Sequence, residues 1–178
     1  MKANEVLKFW FEETNPELWF KKDNDFDERI KNRFSLTIEE GSRGELFSWR
    51  ETAQGRLAEI IVLDQFPRNI YRQNPKAWAT DGIALTLAQE LVSLKLDTQL
   101  TITQRAFAYL PYMHSESLLV HKEAVKLFKT PGLEDNYKYE IMHLEIIEKF
   151  GRYPHRNKIL GRESTPEEIE FLKTHQGF

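Results

Sequence analysis

Apolar residues recur at helical rather than strand spacing along most of the chain. Val6, Leu7, Trp10 and Phe11 mark one face of a first amphipathic helix, and Phe26, Ile30 and Phe34 mark a second that begins near Asp25. Pro16 interrupts the pattern between them and puts Trp19 and Phe20 in the connection. The N-terminal aromatics are expected to be core, because an amphipathic helix buries its apolar stripe. "TAQGRLAEIIVLDQF" is less regular, since Ile60 to Leu63 could form a short buried strand. Its length and its Ala and Leu favour a helix that ends where Pro67 discourages continuation.

"NPKAWATDGIALTLAQELVSL" carries Ala77, Ala84, Leu85, Ala88 and Leu91 at helical spacing, with Pro75 placed in the first turn, where a missing amide hydrogen costs nothing. "TITQRAFAYLPYMHSE" and "SLLVHKEAVKLFKT" predict two further helices, separated or kinked at Pro111. Pro131 and Gly132 precede "NYKYEIMHLEIIEKF", a helix that Gly151 is suited to end in the left-handed conformation. "STPEEIEFLKTH" opens with a capping box, Thr165 as cap, Pro166 at the first helical position and Glu168 three residues after the cap. The pattern therefore predicts an all-α fold of about eight or nine helices, with short links that favour antiparallel hairpins. No linker or low-complexity stretch divides it, so residues 1–178 are expected to form a single all-helical domain.

Composition narrows the chemistry. The chain has no cysteine, which excludes thiolate catalysis, thiolate zinc sites and disulfides and suits a reducing compartment. A cytoplasmic location is expected: Glu5 and Lys8 interrupt any secretory core near the start, and no stretch approaches the ~20 apolar residues of a membrane span. Net charge is -3 and the pI is near 6.0, with 25 basic residues scattered among 28 acidic ones. Without a basic run or face, nucleic acid is a poor partner. Walker, HExxH, G-x-S-x-G and Rossmann signatures are absent from the sequence. No cofactor is expected.

Periodicity also shows which polar side chains point inward. Asp64 continues the apolar face of Leu57, Ile60 and Ile61, and His143 shares a face with Ile146, Ile147 and Phe150. A buried carboxylate needs partners, and Arg68, Arg152 and Arg156 are the nearest candidates by motif. Two stretches supply them in the same order of aromatic, proline, cation and asparagine. "DQFPRNIYR" contributes Asp64, Arg68, Asn69 and Arg72, and "FGRYPHRN" contributes Arg152, His155, Arg156 and Asn157. A third cluster, "LPYMHSE", offers His114 as an acid or base and Glu116 beside it. Ser115 is adjacent, but consecutive helical residues point about 100° apart and do not make a triad. Asp64, Arg68, Arg152, His155 and Arg156 are expected to lie together, with His114 and Glu116 nearby. Glu140 and His143 form one Glu-x-x-His pair, whereas a di-iron bundle needs two such pairs and two further carboxylates; no metal site is expected.

"VLKFWF", "LDQFPRNIYR", "YLPYMHSE", "FGRYPHRN" and "LGRESTPEE", in this order from about Val6 to about Phe171, resemble the bacterial family catalogued as domain of unknown function 924. Tyr153 stands where that motif suggests phenylalanine, which keeps the aromatic ring. The resemblance implies an all-helical fold related to the tetratricopeptide-like superhelices. It implies no activity, so no residue role is carried over. Three functions are then open. The first is a binding or scaffold module for a peptide or protein partner, on the analogy of helical-hairpin stacks. The second is a small-molecule or anion site, of a binding protein or an enzyme, built from the Arg, His and Asp motifs. The third makes those motifs purely structural. The sequence leaves the oligomeric state open.

Overall fold

The computed structural model describes residues 1–175 and Gly177. Among them the regular elements are helical: α1 (Ala3–Lys8), α2 (Asn24–Ser42), α3 (Ala53–Ile60), α4 (Phe66–Ile70), α5 (Asp81–Ser93), α6 (Ile102–Met113), α7 (Leu118–Phe128), α8 (Glu134–Phe150) and α9 (Pro166–Leu172). Helix α1 runs on as a π-helical turn, Phe9–Glu13, and α2 is capped by Asp23, whose carboxylate accepts from the Phe26 amide at 2.9 Å. Trp19 and Phe20 do lie in the connection, and the Trp19 indole donates to the Trp10 carbonyl at 3.0 Å.

Helices α3 and α4 form one run through the centre of the molecule, joined by a π-helical turn at Ile61–Gln65. Every residue from 55 to 67 in this run is buried. Helix α3 packs on α1, α5 and α6, and α4 packs on α2. Ile60 to Leu63 is therefore helical rather than a strand. Contrary to expectation, the helix does not stop at Pro67. The carbonyl that Pro67 cannot reach belongs to Leu63, and the Thr80 hydroxyl donates to it instead. Close approach is enforced at the start of α3, where a Cβ on Gly55 would collide with the Trp49 carbonyl.

Two further prolines depart from the expected pattern. Pro75 opens a separate 3₁₀ turn, Pro75–Ala77, and α5 starts only at Asp81. Pro111 sits inside α6, which continues to Met113, so the break before α7 falls at residues 114–117. Gly151 ends α8 at φ +66°, and Thr165 with Glu168 forms the capping box of α9, both as expected.

The main core is aromatic. Phe9, Trp10, Phe26, Phe34 and Phe66 are buried together, with ring centroids 4.9 Å apart for Phe9 and Phe34 and 4.7 Å for Phe34 and Phe66. The expected core role of the N-terminal aromatics thus holds for Trp10; Phe11 is half-buried and Phe20 is exposed. A second, smaller cluster joins Ile146, Ile147 and Tyr153 to Phe150 and Phe171. It anchors the segment from Gly151 to Leu172, which returns across the ends of α6 and α8.

Candidate functional site

Asp64 lies in the π-helical turn of the central run, a feature that commonly re-aims side chains at functional sites. Its carboxylate is wholly buried. Oδ1 receives the His114 ring at Nδ1, 2.7 Å away, and lies 3.3 Å from Arg68; Oδ2 accepts from the Gln65 amide. Arg68 also donates to the Asp64 carbonyl at 2.6 Å and forks onto both oxygens of Asp81, at 2.8 Å each. Arg156 closes the circuit. It donates to the His114 carbonyl at 3.0 Å and lies 3.6 Å from Asp81. Residues from α4, α5, the 114–117 link and the turn after Tyr153 thereby meet around one carboxylate.

Asp81, His114 and Arg156 of this network open on a cleft of about 340 Å³, lined also by Trp78, Leu85, Ser115, Glu116 and Leu160. Glu116 is held on its rim by a bidentate pair with Arg162, at 2.6 and 2.9 Å, and accepts the Tyr153 amide at 2.8 Å. Ser115 accepts from the Ser117 amide at 3.2 Å and makes no hydrogen bond to the His114 ring, so the two are not a nucleophile and its base.

Electrostatics fix the state of the histidine. Burial alone would raise Asp64, but Arg68 and His114 outweigh it and hold the carboxyl at about 2. An ionised carboxylate only accepts, so His114 Nδ1 carries the proton of this hydrogen bond. His114 itself is lowered by burial and by the Arg68 charge, which together exceed the pull of Asp64. The neutral ring therefore leaves a lone pair on Nε2. That nitrogen has no hydrogen-bond partner among the described residues, and the ring lines the cleft.

The other expected residues lie elsewhere. Asn69 and Arg72 do not reach Asp64: both bind Asp27 on α2, Asn69 at 3.0 Å and Arg72 bidentately at 2.6 and 2.9 Å. Arg152, expected beside Asp64, instead forks onto Glu168 of α9 at 2.7 and 2.8 Å, because the chain turns at Gly151 and sends it outward. Asn157 joins the same carboxylate at 3.2 Å. His155 packs beside Tyr153, ring centroids 5.6 Å apart, and is pushed down to about 4 by burial and by Arg156. His143 donates from Nδ1 to the Tyr139 carbonyl at 2.7 Å and is lowered to about 3 by burial. Glu140 does not pair with His143. It meets His121, whose Nδ1 is 2.7 Å from it and whose Nε2 donates to the Ser115 carbonyl at 2.8 Å. Among the described residues, no three His, Cys, Asp or Glu side chains group in a way that could hold a metal ion.

Sequence reading missed Asp81, Trp78, Arg162 and His121. Asp81 and Arg162 sit at a helix start and in a loop, where charged residues are ordinary, and only the fold brings them to the cleft. His121 did have a signal, since it is three residues before Ala124 and seven before Phe128, on the buried face of α7.

Fold and site together define an all-helical protein in which a buried aspartate supports a histidine at the wall of a cleft of mixed polar and apolar lining. The chain belongs to the bacterial protein family of unknown function DUF924, whose sequence model matches residues 6–176. It is similar to a solved structure of a protein of unknown function from Agrobacterium tumefaciens, with a TM-score of 0.92 and 37% identity over 97% of each chain. No curated protein matches. Among the described residues no helix is long and apolar enough to cross a membrane.

Proposed function

We propose that the cleft binds a small molecule and that His114, through Nε2, moves a proton to or from it. The observation that supports this is the 2.7 Å bond from His114 Nδ1 to a buried carboxylate, made by a ring that lines the cleft and whose Nε2 has no partner among the described residues. An imidazole held in this tautomer, with a base lone pair outward, is the arrangement general acid–base catalysis uses, and such groups contribute typically ~10²–10⁴-fold to rate. A purely structural network would satisfy every donor within the fold. Here Arg156 Nη1 and His114 Nε2 make no hydrogen bond among the described residues although both side chains line the cleft, which favours a ligand.

The cleft also has the size of small-molecule sites, which begin near ~300 Å³. By contrast, the apolar recess formed by Trp19, Phe20, Ile102, Phe107 and Leu133 has about 160 Å³, room for a side chain rather than an extended peptide. The scaffold reading is accordingly ranked second.

The test is the tautomer. Nitrogen NMR of His114 should show Nδ1 protonated and Nε2 bare at pH 7, with a pKa below that of a free histidine. Asp64→Asn should lower the pKa further, since the favourable charge is lost while the shape is kept. A wild-type ring that is protonated at Nε2 at pH 7 would sink the proposal.

A further inference from the structure

The Arg156 side chain is only 9% exposed, and the carboxylate that it approaches, Asp81, is shared with Arg68. Asp81 is claimed at 2.8 Å by both nitrogens of Arg68, and Glu116 by both nitrogens of Arg162. Arg156 is left with one carbonyl, that of His114, and with Asp81 at 3.6 Å, beyond a normal hydrogen bond. Its Nε is buried without a partner, and Nη1 makes no hydrogen bond among the described residues. The guanidinium carbon lies over two rings, 4.7 Å from the centroid of Tyr153 and 5.4 Å from that of Trp78. Such contacts hold the cation beside the cleft that it lines but accept none of its hydrogen bonds, so Nη1 is left without an acceptor among the described residues.

We propose that the cleft recognises a small organic monocarboxylate, with its carboxylate on Arg156 and its apolar part against Trp78, Leu85, Pro111 and Leu160. This rests on the reading of the cleft as a ligand site and adds the class of ligand. Three features select a monoanion of carboxylate kind. Arg156 Nη1 has no hydrogen bond among the described residues, so a carboxylate oxygen can take it. Asp81 and Glu116 line the same cleft, and their charges oppose a phosphate dianion. The remaining lining is aromatic and aliphatic, which suits an organic body rather than an inorganic ion. With the carboxylate so placed, the ligand body lies along the wall that carries His114.

The experiment is an NMR titration of the full chain, at fixed ionic strength, with butyrate, benzoate, their matched primary amides and inorganic phosphate. Wild type should respond to a carboxylate at the Trp78 indole and the His114 ring, with the matched amide at least tenfold weaker and phosphate weaker than the carboxylate. Arg156→Gln should lose at least tenfold in carboxylate affinity, and Arg156→Lys should recover part of it. The comparison of acid with amide on wild type stands even if Arg156→Gln fails to fold. Equal binding of acid and amide, tighter binding of phosphate, an unchanged affinity in Arg156→Gln or a panel without any carboxylate response would each overturn the proposal. Amide or phosphate binding at the cleft would leave the proton-transfer reading standing. The His114 tautomer decides that reading independently.

Discussion

Between α1 and α4, Phe9, Trp10, Phe26, Phe34 and Phe66 bury their rings against one another. Between Gly151 and Leu172, the buried side chains are Tyr153, Pro154, Arg156, Asn157 and Glu168, three of them polar. The first region is held by apolar area, which is non-directional and indifferent to proton concentration. The second adds hydrogen-bonded charge to a small apolar cluster around Tyr153, with Arg152 and Asn157 on Glu168 and Arg162 on Glu116. Such groups must be matched one to one, and their strength depends on ionisation. The cleft lies where the directional region meets the central helix, which gives it donors to spare that an apolar core does not have.

The sharpest way to break the contrast is to remove a ring from the aromatic region. Phe34 is fully buried, and Phe34→Ala should cost about 3–5 kcal/mol in denaturant unfolding at neutral pH. A loss below about 1 kcal/mol would mean that the cluster contributes far less than a packed core should.

Acid should separate the two regions next. Glu168 is held at about 2 by its bonds from Arg152 against the opposing effect of burial, so its contribution is complete above its ordinary 4.5 and is lost as pH falls toward 2. His143 and His155, lowered by burial to about 3 and about 4, stay neutral in the fold while the unfolded chain protonates from 6.5 downward. The two histidine contributions therefore fall as pH drops below 6.5 and that of Glu168 joins them below 4.5, each with a slope of at most ~1.4 kcal/mol per pH unit. Amide exchange near pH 4 should show α9 and the turn at residues 154–156 losing protection before α2. Simultaneous loss in both regions would erase the distinction.

The smallest effect concerns Tyr153, at the seam. Its hydroxyl donates to the Met113 carbonyl and lies 3.1 Å from His121 Nε2. Tyr153→Phe, the residue suggested by the motif, should cost about 1 kcal/mol, because the ring is retained and one hydrogen bond is lost. A neutral result in thermal unfolding would show that the hydroxyl adds nothing to the packing of the ring.

Both regions were unequally legible in the sequence. The α2 stripe of Phe26, Ile30 and Phe34, the Gly151 stop and the Thr165 capping box were all readable, since each is a local rule. The inward aim of Asp64 was readable by the same periodicity, although the π-helical turn that carries it was not. Choosing its partners failed in part. Arg152 and Arg156 stand four residues apart in one motif, yet the first goes to Glu168 and the second to the cleft. Asn69 and Arg72 look like Arg68 in the other motif, yet they bind Asp27.

The sequence by itself determined the all-helical class, most helix faces and which polar residues had to be satisfied, because burial and capping act over a few residues. Tertiary structure alone decided which charge meets which. A guanidinium accepts any carboxylate within reach, and reach is set by how distant helices pack: Asp64, Asp81, His114 and Arg156 come from four separate parts of the chain.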